Sequence, residues 1–145
     1  MENIDIESLI PHRKPFLFVD ELLYNGEEGS ASLYTFKEDE FFFKGHFPDY
    51  PIVPGVILIE TMAQAGGVAL IQRKSIKKEN PFFLASISKA KFRAQVLPNT
   101  QVKIEIKNLK ISENMIRQSG KIYIKEVIAA EAEWMCLIAK KGDIK

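Results

Sequence analysis

The sequence predicts one α+β domain in which a long helix is wrapped by an antiparallel sheet. Residues 56–73 form an apolar run with few helix breakers, and this run predicts the helix. Several later segments alternate apolar and polar residues, as Val102, Ile104 and Ile106 do, which is typical of strands with one wetted face. The chain has 145 residues, which suits a single domain spanning 1–145 with a buried core.

Strands are predicted on both sides of the helix in the sequence. Residues 16–24 and 31–36 precede the helix as two strands, separated by a Gly- and Glu-rich turn at residues 25–30. Further strands follow the helix at residues 82–94, 100–111, 116–125 and 127–140. Because the helix is apolar all round, it needs a sheet that covers it on more than one side.

The segment just before the helix is stiff. Residues 45–64 read GHFPDYPIVPGVILIETMAQ, with prolines at positions 48, 51 and 54. Proline fixes φ, removes a backbone donor and restrains the residue before it, so the chain after His46 must be extended. His46 is therefore expected at a rigid bend beside the start of the helix.

An oxyanion site is predicted where this segment meets the helix. Pro54 and Gly55 end the extended segment, so the first N–H groups of the helix lie beside the bend. These groups and the positive end of the helix dipole favour a developing negative oxygen. Gly55 has no Cβ, which lets a substrate carbonyl group approach its backbone closely.

Two ionisable residues of this stretch suit general base and general acid catalysis. An imidazole ordinarily has a pKa of roughly 6.5, so His46 is a candidate base near neutral pH. Glu60 lies among apolar residues with no basic residue within one helical turn, and such desolvation raises a carboxyl pKa, as a general acid requires. Gln64 follows one turn later on the same face, where it can orient that carboxyl group or bind substrate.

Each of these residues also has an ordinary structural interpretation. A single histidine in a Pro-rich loop is usually a surface or core residue, and a single glutamate on an apolar helix often lies on a narrow polar face. Together, His46, Gly55 and Glu60 favour catalysis. Base, oxyanion donor and acid then fall within a span short enough to meet around one substrate.

The same stretch resembles the signature GHFPxxPxxPGVxxxExMAQ of the 3-hydroxyacyl-[acyl-carrier-protein] dehydratases of type II fatty acid synthesis. Every fixed position of that signature is present in residues 45–64. Residues 9–20 (LIPHRKPFLFVD) are similar to the family's PHRxPFLxVD element, and residues 90–98 (AKFRAQVLP) are similar to its AKFRxPVxP strand. The resemblance therefore covers nearly the whole chain.

The resemblance implies a hot-dog fold, a long central helix wrapped by a curved antiparallel sheet, and a dehydration that needs no cofactor. It implies that His46 removes the α-proton of a (3R)-3-hydroxyacyl thioester while the Gly55 N–H stabilises the enolate-like oxygen. Protonated Glu60 would assist loss of the β-hydroxyl group as water, which gives a trans-2-enoyl thioester. In the family, the base and the acid of one site come from different protomers. We therefore expect a homodimer with shared active sites, and the resemblance further implies a trimer of dimers.

The resemblance also implies a substrate carried on the phosphopantetheine arm of an acidic acyl carrier protein. Lys89, Lys91 and Arg93 alternate on a predicted strand and are candidates for a basic docking rim, although such alternation is also typical of a solvated face. Phe82 and the run at 41–43 could line the acyl slot or belong to the core. The expected substrate-binding residues are Gly55, Val56, Gln64, Phe47 and Phe83.

Composition excludes several other classes of function. The formal net charge of +1, with both signs mixed, argues against nucleic-acid binding. The single cysteine, Cys136, excludes an internal disulfide framework and is expected in the core. No signal peptide and no segment long enough to span a membrane is expected, which favours a cytoplasmic location. His12 and His46 lack the close spacing to Asp49 or Glu60 that metal ligands require, so no metal site is expected.

Other functions are also known for chains with a hot-dog fold. An acyl thioesterase would use a carboxylate to activate water or attack the thioester, without needing His46 paired with Glu60. A non-catalytic acyl-carrier-binding homologue would keep the fold and lose the catalytic residues. The related enzyme that also isomerises its product has aspartate in place of Glu60, which favours simple dehydration here. Acyl chain length stays open, as does the choice among housekeeping fatty acid, lipid A and specialised acyl pathways.

Two turns depart from the family pattern. The usual Pro-Gly-Asp turn is Pro98-Asn99-Thr100 in this chain, and Asn tolerates left-handed backbone geometry. The last hairpin has Lys125-Glu126 where Asp-Gly is usual. Neither Lys nor Glu favours a positive φ, so the geometry of this hairpin is not predicted by its sequence.

Overall fold

The computed structural model describes residues 4–140 and has the predicted architecture of a long central helix packed against an antiparallel sheet. The helix, α1, spans Gly55–Gln72, and short 3₁₀ turns occur at Ile6–Ser8 and Phe41–Lys44. The strands are β1 (Glu21–Asn25), β2 (Gly29–Phe36), β3 (Phe82–Phe92), β4 (Thr100–Ile111), β5 (Met115–Ile124) and β6 (Val127–Ile138). These bounds confirm the predicted helix and most of the predicted strand limits to within two residues.

The strands form one six-stranded antiparallel sheet in the order β1-β2-β4-β5-β6-β3. β4, β5 and β6 follow one another as a meander, whereas β1 and β3 lie at the two edges. Helix α1, in the long connection between β2 and β3, contacts all six strands. The sheet therefore covers the helix as its apolar sequence requires.

The core lies between α1 and one face of the sheet. Along β4, Val102, Ile104 and Ile106 are buried and the residues between them are exposed, as the period of two predicts. By length and composition α1 could cross a membrane, so the expectation that no segment is long enough to do so was wrong. However, 78% of α1 is buried inside the protein, which is typical of a core helix.

The first predicted strand begins later than residue 16. β1 starts at Glu21, and the backbone of Phe16 and Phe18 bonds to a side chain of the helix instead of to a strand. The Phe18 N–H donates to Gln64 Oε1 at 2.8 Å, and the Phe16 carbonyl accepts from Gln64 Nε2 at 3.0 Å. Backbone groups used in this way cannot join a strand ladder.

Three non-glycine residues in turns and bulges adopt positive φ angles that bear on the predictions. Asn99 has a φ of 62°, as its tolerance of left-handed geometry predicts. Lys125 has a φ of 56° in the two-residue loop between β5 and β6. Lys89, with a φ of 53°, sits in a β-bulge between Ser88 and Lys91. The expected regular alternation through Lys89 was therefore wrong, because the bulge inserts an extra residue there.

Candidate active site

His46 is held at the predicted bend by hydrogen bonds of its backbone and its ring. Its N–H donates to the Phe42 carbonyl at 3.0 Å, and its carbonyl accepts from the Ile52 N–H at 3.0 Å. The ring atom Nδ1 lies 3.1 Å from the Ile52 carbonyl oxygen. Because a carbonyl oxygen only accepts, Nδ1 must carry the proton in neutral His46, which leaves the lone pair on Nε2.

The start of α1 supplies backbone N–H groups beside this imidazole. Pro54 is the N-cap, and its carbonyl accepts from the Ile57 and Leu58 N–H groups. Within residues 4–140, the N–H groups of Gly55 and Val56 have no hydrogen-bond partner. Together with His46, these two residues line a cleft of about 530 Å³, which we call the His46 cleft. The cleft therefore combines a base with two free donors and the positive end of a helix.

Gly55 has a packing requirement as well as the predicted role at the oxyanion site. A Cβ at this position would lie 2.9 Å from the ring of Phe92, a residue of β3 that also lines the His46 cleft. Any larger residue would push this ring away from the helix start. The absence of a side chain at Gly55 thus shapes the cleft that surrounds its N–H group.

Glu60 lies further along α1 in a second, smaller cavity. This cavity, which we call the Glu60 cavity, has a volume of about 120 Å³ and is lined by His12, Glu60, Ala63, Phe82, Phe83, Leu84 and Cys136. Burial raises the pKa of the Glu60 carboxyl group above its ordinary value, and a hydrogen bond from Gln64 opposes this effect. The predicted environment of a general acid is therefore present around Glu60.

Gln64 fixes the orientation of that carboxyl group. Its Nε2 donates to Glu60 Oε2 at 2.9 Å and also to the Phe16 carbonyl, while its Oε1 accepts from the Phe18 N–H. The side chain is 0% exposed. Of the two roles predicted for Gln64, this network favours orientation of Glu60 over direct contact with substrate.

Two neighbours of Glu60 were not identified as such from the sequence. His12 Nε2 lies 3.6 Å from Glu60 Oε2, and the buried Cys136 thiol lines the same cavity. Burial and the nearby carboxyl group raise the pKa of Cys136 to about 12, which agrees with its predicted place in the core. The PHR element could have marked His12 as a functional residue. Nothing in the sequence, however, indicates that His12 contacts Glu60, which lies 48 positions away.

The predicted base, His46, and the predicted acid, Glu60, do not share a cavity within one chain. The residues that line the His46 cleft and those that line the Glu60 cavity have no member in common. A substrate in either cavity would therefore reach only one of the two predicted catalytic residues. Within the described part of the chain, no three His, Cys, Asp or Glu residues are grouped as metal ligands.

The predicted aromatic residues lie in the core, at the Glu60 cavity or, as Phe41 and Phe47 do, at the surface. Phe42 and Phe43 are buried in the core, whereas Phe82 and Phe83 line the Glu60 cavity. Phe47 is 50% exposed, and its ring stacks on the His46 imidazole at a centroid distance of 4.3 Å, across a cis peptide bond. Phe47 therefore stacks on the predicted base, and Phe83 lines the same cavity as the predicted acid.

The predicted basic residues of β3 lie beside acidic residues of β6. Lys89 Nζ lies 3.4 Å from Glu133 Oε1, and Arg93 Nε donates to Glu131 Oε2 at 2.9 Å. Arg93, which follows β3 directly, also lines the His46 cleft. Of the basic residues considered, Arg93 is the one that borders the candidate site.

Comparison with known families identifies a match over most of the chain. A family model described as the FabA-like domain matches residues 10–133. A 3-hydroxyacyl-[acyl-carrier-protein] dehydratase FabZ from Clostridium kluyveri is 41% identical over 141 residues, which covers 95% of this chain and 96% of that protein. A protein of the same name from Koribacter versatilis is 36% identical and covers 97% of this chain and 91% of that protein.

Solved structures share the fold. The dehydratase heterocomplex ApeI:P from Xenorhabdus doucetiae superposes with a TM-score of 0.83 at 18% sequence identity, covering 98% of this chain and 95% of that one. A crystal structure from Helicobacter felis gives a TM-score of 0.68 at 17% identity, covering 97% and 93%. At such identities the likeness shows the fold alone, and it confirms the predicted hot-dog architecture.

Proposed function

The chain belongs to the FabA-like family, and we infer that it is a dehydratase that converts (3R)-3-hydroxyacyl-[acyl-carrier-protein] into trans-2-enoyl-[acyl-carrier-protein]. The observation that carries this function is the His46 cleft, where an imidazole with a free Nε2 lone pair lies beside two N–H groups at a helix start that have no hydrogen-bond partner among residues 4–140. A base and an oxyanion donor in one cleft fit removal of a proton next to a thioester carbonyl group.

The reaction begins at Nε2 of His46. This atom accepts the α-proton of the substrate, and the Ile52 carbonyl group stabilises the imidazolium ion because it stays bonded to Nδ1–H. As the Cα–H bond breaks, negative charge develops on the thioester oxygen. The N–H groups of Gly55 and Val56 donate to that oxygen, with the helix dipole in support.

Glu60 acts as the general acid for loss of the β-hydroxyl group. The raised pKa keeps its carboxyl group protonated at higher pH than an ordinary glutamate, so it can transfer a proton to the β-hydroxyl oxygen. The Cβ–O bond breaks, water leaves and the Cα–Cβ double bond forms. A proton then returns from the imidazolium ion to the Glu60 carboxylate, which resets the site.

The complete site requires two protomers. β3 is an edge strand whose residues are mostly exposed, and it borders both cavities, with Phe83 at the Glu60 cavity and Phe92 at the His46 cleft. Antiparallel pairing of β3 with its own copy brings the Phe83 end of one strand beside the Phe92 end of the other. The acid of one chain then meets the base of its partner, which supports a homodimer, the unit from which a trimer of dimers would form.

The proposed substrate arrives on an acyl carrier protein, as the names of the relatives state for those proteins. Arg93 borders the His46 cleft, but its ion pair with Glu131 lowers the local positive charge. An acidic carrier would therefore compete with Glu131 for this guanidinium group. Arg93 is for that reason the proposed docking residue, and Lys89 and Lys91 extend the same rim.

The proposed location is the cytoplasm. Helix α1 has the length and composition of a membrane span, yet its side chains are packed against the sheet and most of it is buried. A helix already covered by protein has no apolar face left for lipid, which supports a soluble enzyme. Its substrate, held on a carrier protein, needs no contact with a membrane.

The assay that tests this function follows two products at once. The purified protein is given (3R)-3-hydroxybutyryl and longer 3-hydroxyacyl carrier proteins, and both the conjugated enoyl thioester and free thiol are measured. We expect enoyl formation by the unmodified protein and none by His46→Ala. Thiol release without enoyl formation would indicate a thioesterase instead. Absence of both enoyl thioester and free thiol would favour a non-catalytic carrier-binding protein.

A further inference from the structure

His12 occupies a position that the proposed chemistry does not yet use. It precedes Arg13 in the loop after the first 3₁₀ turn, and its ring packs on Phe82 at a centroid distance of 5.7 Å. Its Nε2 faces Glu60 Oε2 at 3.6 Å, beyond hydrogen-bond range but close enough for a small movement to close the gap. Catalytic hydrogen bonds are often long before substrate binds and tighten afterwards.

The pKa shifts of His12 and Glu60 both disfavour an ion pair between the two side chains. Burial and the charge of Arg13 lower the pKa of His12, while burial raises the pKa of Glu60. Both shifts favour the uncharged form of each side chain near neutral pH. The pair is therefore a weakly polar contact inside a small cavity and not a salt bridge.

The surroundings of the ring decide which nitrogen of His12 carries the proton. Nδ1 is buried without a hydrogen-bond partner among residues 4–140, whereas Nε2 faces a carboxyl oxygen. A buried N–H without an acceptor costs more than an unused lone pair, so the proton belongs on Nε2. His12 then points a donor at Glu60 Oε2, the oxygen that already accepts from Gln64.

We propose that His12 is a positioning residue for the general acid: when substrate binding closes the 3.6 Å gap, His12 donates with Gln64 to Oε2 of Glu60 and so confines the acid proton to Oε1. This inference rests on the proposed dehydration. A carboxyl group with two donors on one oxygen cannot keep its own proton there, because that oxygen would face three hydrogens. The proton on Oε1 is then free for the β-hydroxyl group, and both donors stabilise the carboxylate that remains after transfer.

The pH dependence follows from the groups that face this pair. Besides Gln64 and His12, they are the Cys136 thiol of β6 and, beyond His12, the Arg13 guanidinium group, while the other residues lining the cavity are apolar. Loss of the His12 donor destabilises the Glu60 carboxylate and raises the pKa of the acid. The alkaline limb of the pH–activity profile, which reports loss of the Glu60 proton, should therefore move to higher pH.

The test compares His12→Phe, which keeps a ring against Phe82, with His12→Gln, whose amide restores an N–H near the position of Nε2. We expect His12→Phe to lower kcat about fivefold to tenfold with KM little changed and to shift the alkaline limb upward, and His12→Gln to recover most of the activity. Nitrogen-15 NMR of the unmodified protein at neutral pH should show His12 as the Nε2–H tautomer.

Several results would overturn the inference. Unaltered kinetics in His12→Phe would show that His12 does not position Glu60. Equal losses of kcat in His12→Phe and His12→Gln, together with a lower unfolding temperature, would show that His12 contributes only to packing. An Nδ1–H tautomer or an imidazolium ion in the unmodified protein would contradict it whether or not the variants fold. If the unmodified protein forms no enoyl product, the proposed function fails and the inference fails with it. Activity lost in Glu60→Gln but untouched in His12→Phe rejects the inference alone.

Discussion

Single hydrogen bonds decide which atoms of His46 and Glu60 carry protons. The Ile52 carbonyl group holds the proton of His46 on Nδ1 and leaves Nε2 as the proposed base. Gln64 occupies Oε2 of Glu60, so the acid proton is best placed on the other oxygen. The bend at His46 and the burial of Glu60 were predictable from the sequence, because only their local surroundings were needed. The contact between His12 and Glu60 was not, since it depends on how distant segments pack.

The buried carboxyl group of Glu60 gives a prediction about stability and pH. Its pKa is raised above the ordinary value of 4.5, so the folded protein holds this proton more tightly than the unfolded chain does. The corresponding stability is complete below the unfolded pKa and is lost as the pH rises through the folded pKa. Glu60→Gln cannot ionise, so it should raise the unfolding temperature relative to the unmodified protein at about pH 8 and give no gain at about pH 4.

The same variant should lose enoyl formation by a factor of about 10² or more, because a carboxamide cannot donate an acid proton. Thermal scans at the two pH values, paired with the enoyl assay, check both halves of this prediction. A variant that is destabilised more at about pH 8 than at about pH 4 would show that the ionised carboxylate of Glu60 stabilises the fold, and retained activity would exclude Glu60 as the acid.

The elements of the fold follow from local patterns except where a side chain or bulge intervenes. The apolar run predicted α1, and alternation predicted β4 and β5 with nearly the observed bounds. The start of β1 was misplaced, because the Gln64 side chain bonds to the backbone of Phe16 and Phe18. The bulge at Lys89 was also missed, since nothing in the residue pattern indicates a positive φ there.

The hairpin between β5 and β6 provides a prediction at this scale. Lys125 has a φ of 56° in its two-residue loop, a conformation that is unfavourable for residues with a Cβ, whereas Glu126 does not have a positive φ. Lys125→Gly should therefore stabilise the protein by about 0.5–1 kcal/mol. Glu126→Gly is the matched control and should bring no gain, because it only makes the unfolded chain more flexible.

Chemical denaturation of both hairpin variants measures the difference. The expected result is a higher midpoint for Lys125→Gly, an unchanged or lower midpoint for Glu126→Gly, and unaltered enoyl formation in both. Equal effects of the two substitutions would mean that the positive φ of Lys125 carries no energetic cost in solution.

The arrangement of the whole molecule explains why one chain holds only half of each proposed site. The His46 cleft and the Glu60 cavity are separate, and β3 runs along the edge of the sheet between them. An exposed edge strand of eleven residues is a template for pairing with another strand. No pattern within a single sequence indicates which protomer supplies each residue. The proposal that two protomers share each site therefore rests on the family resemblance and on the separation of the two cavities.

Disruption of the β3 edge should separate the protomers and abolish activity. Ile87 lies in the middle of β3 and is 47% exposed, so Ile87→Lys places a charge in the proposed interface. Leu109→Lys on β4 is the control, because that side chain is similarly exposed but lies away from the edge. Analytical ultracentrifugation should show monomers only for Ile87→Lys, with enoyl formation lost in parallel. A dimeric, active Ile87→Lys variant would place the interface elsewhere.

The most direct test mixes two inactive variants. His46→Ala and Glu60→Gln are unfolded together in equal amounts, refolded and assayed for enoyl formation, with each variant refolded alone as the control. Random pairing makes half of the dimers mixed, and each mixed dimer has one intact site of two, so activity should return to about a quarter of the unmodified level. Recovery of that size would establish a dehydratase site shared between protomers. No recovery, with mixed dimers shown to be present, would contradict it.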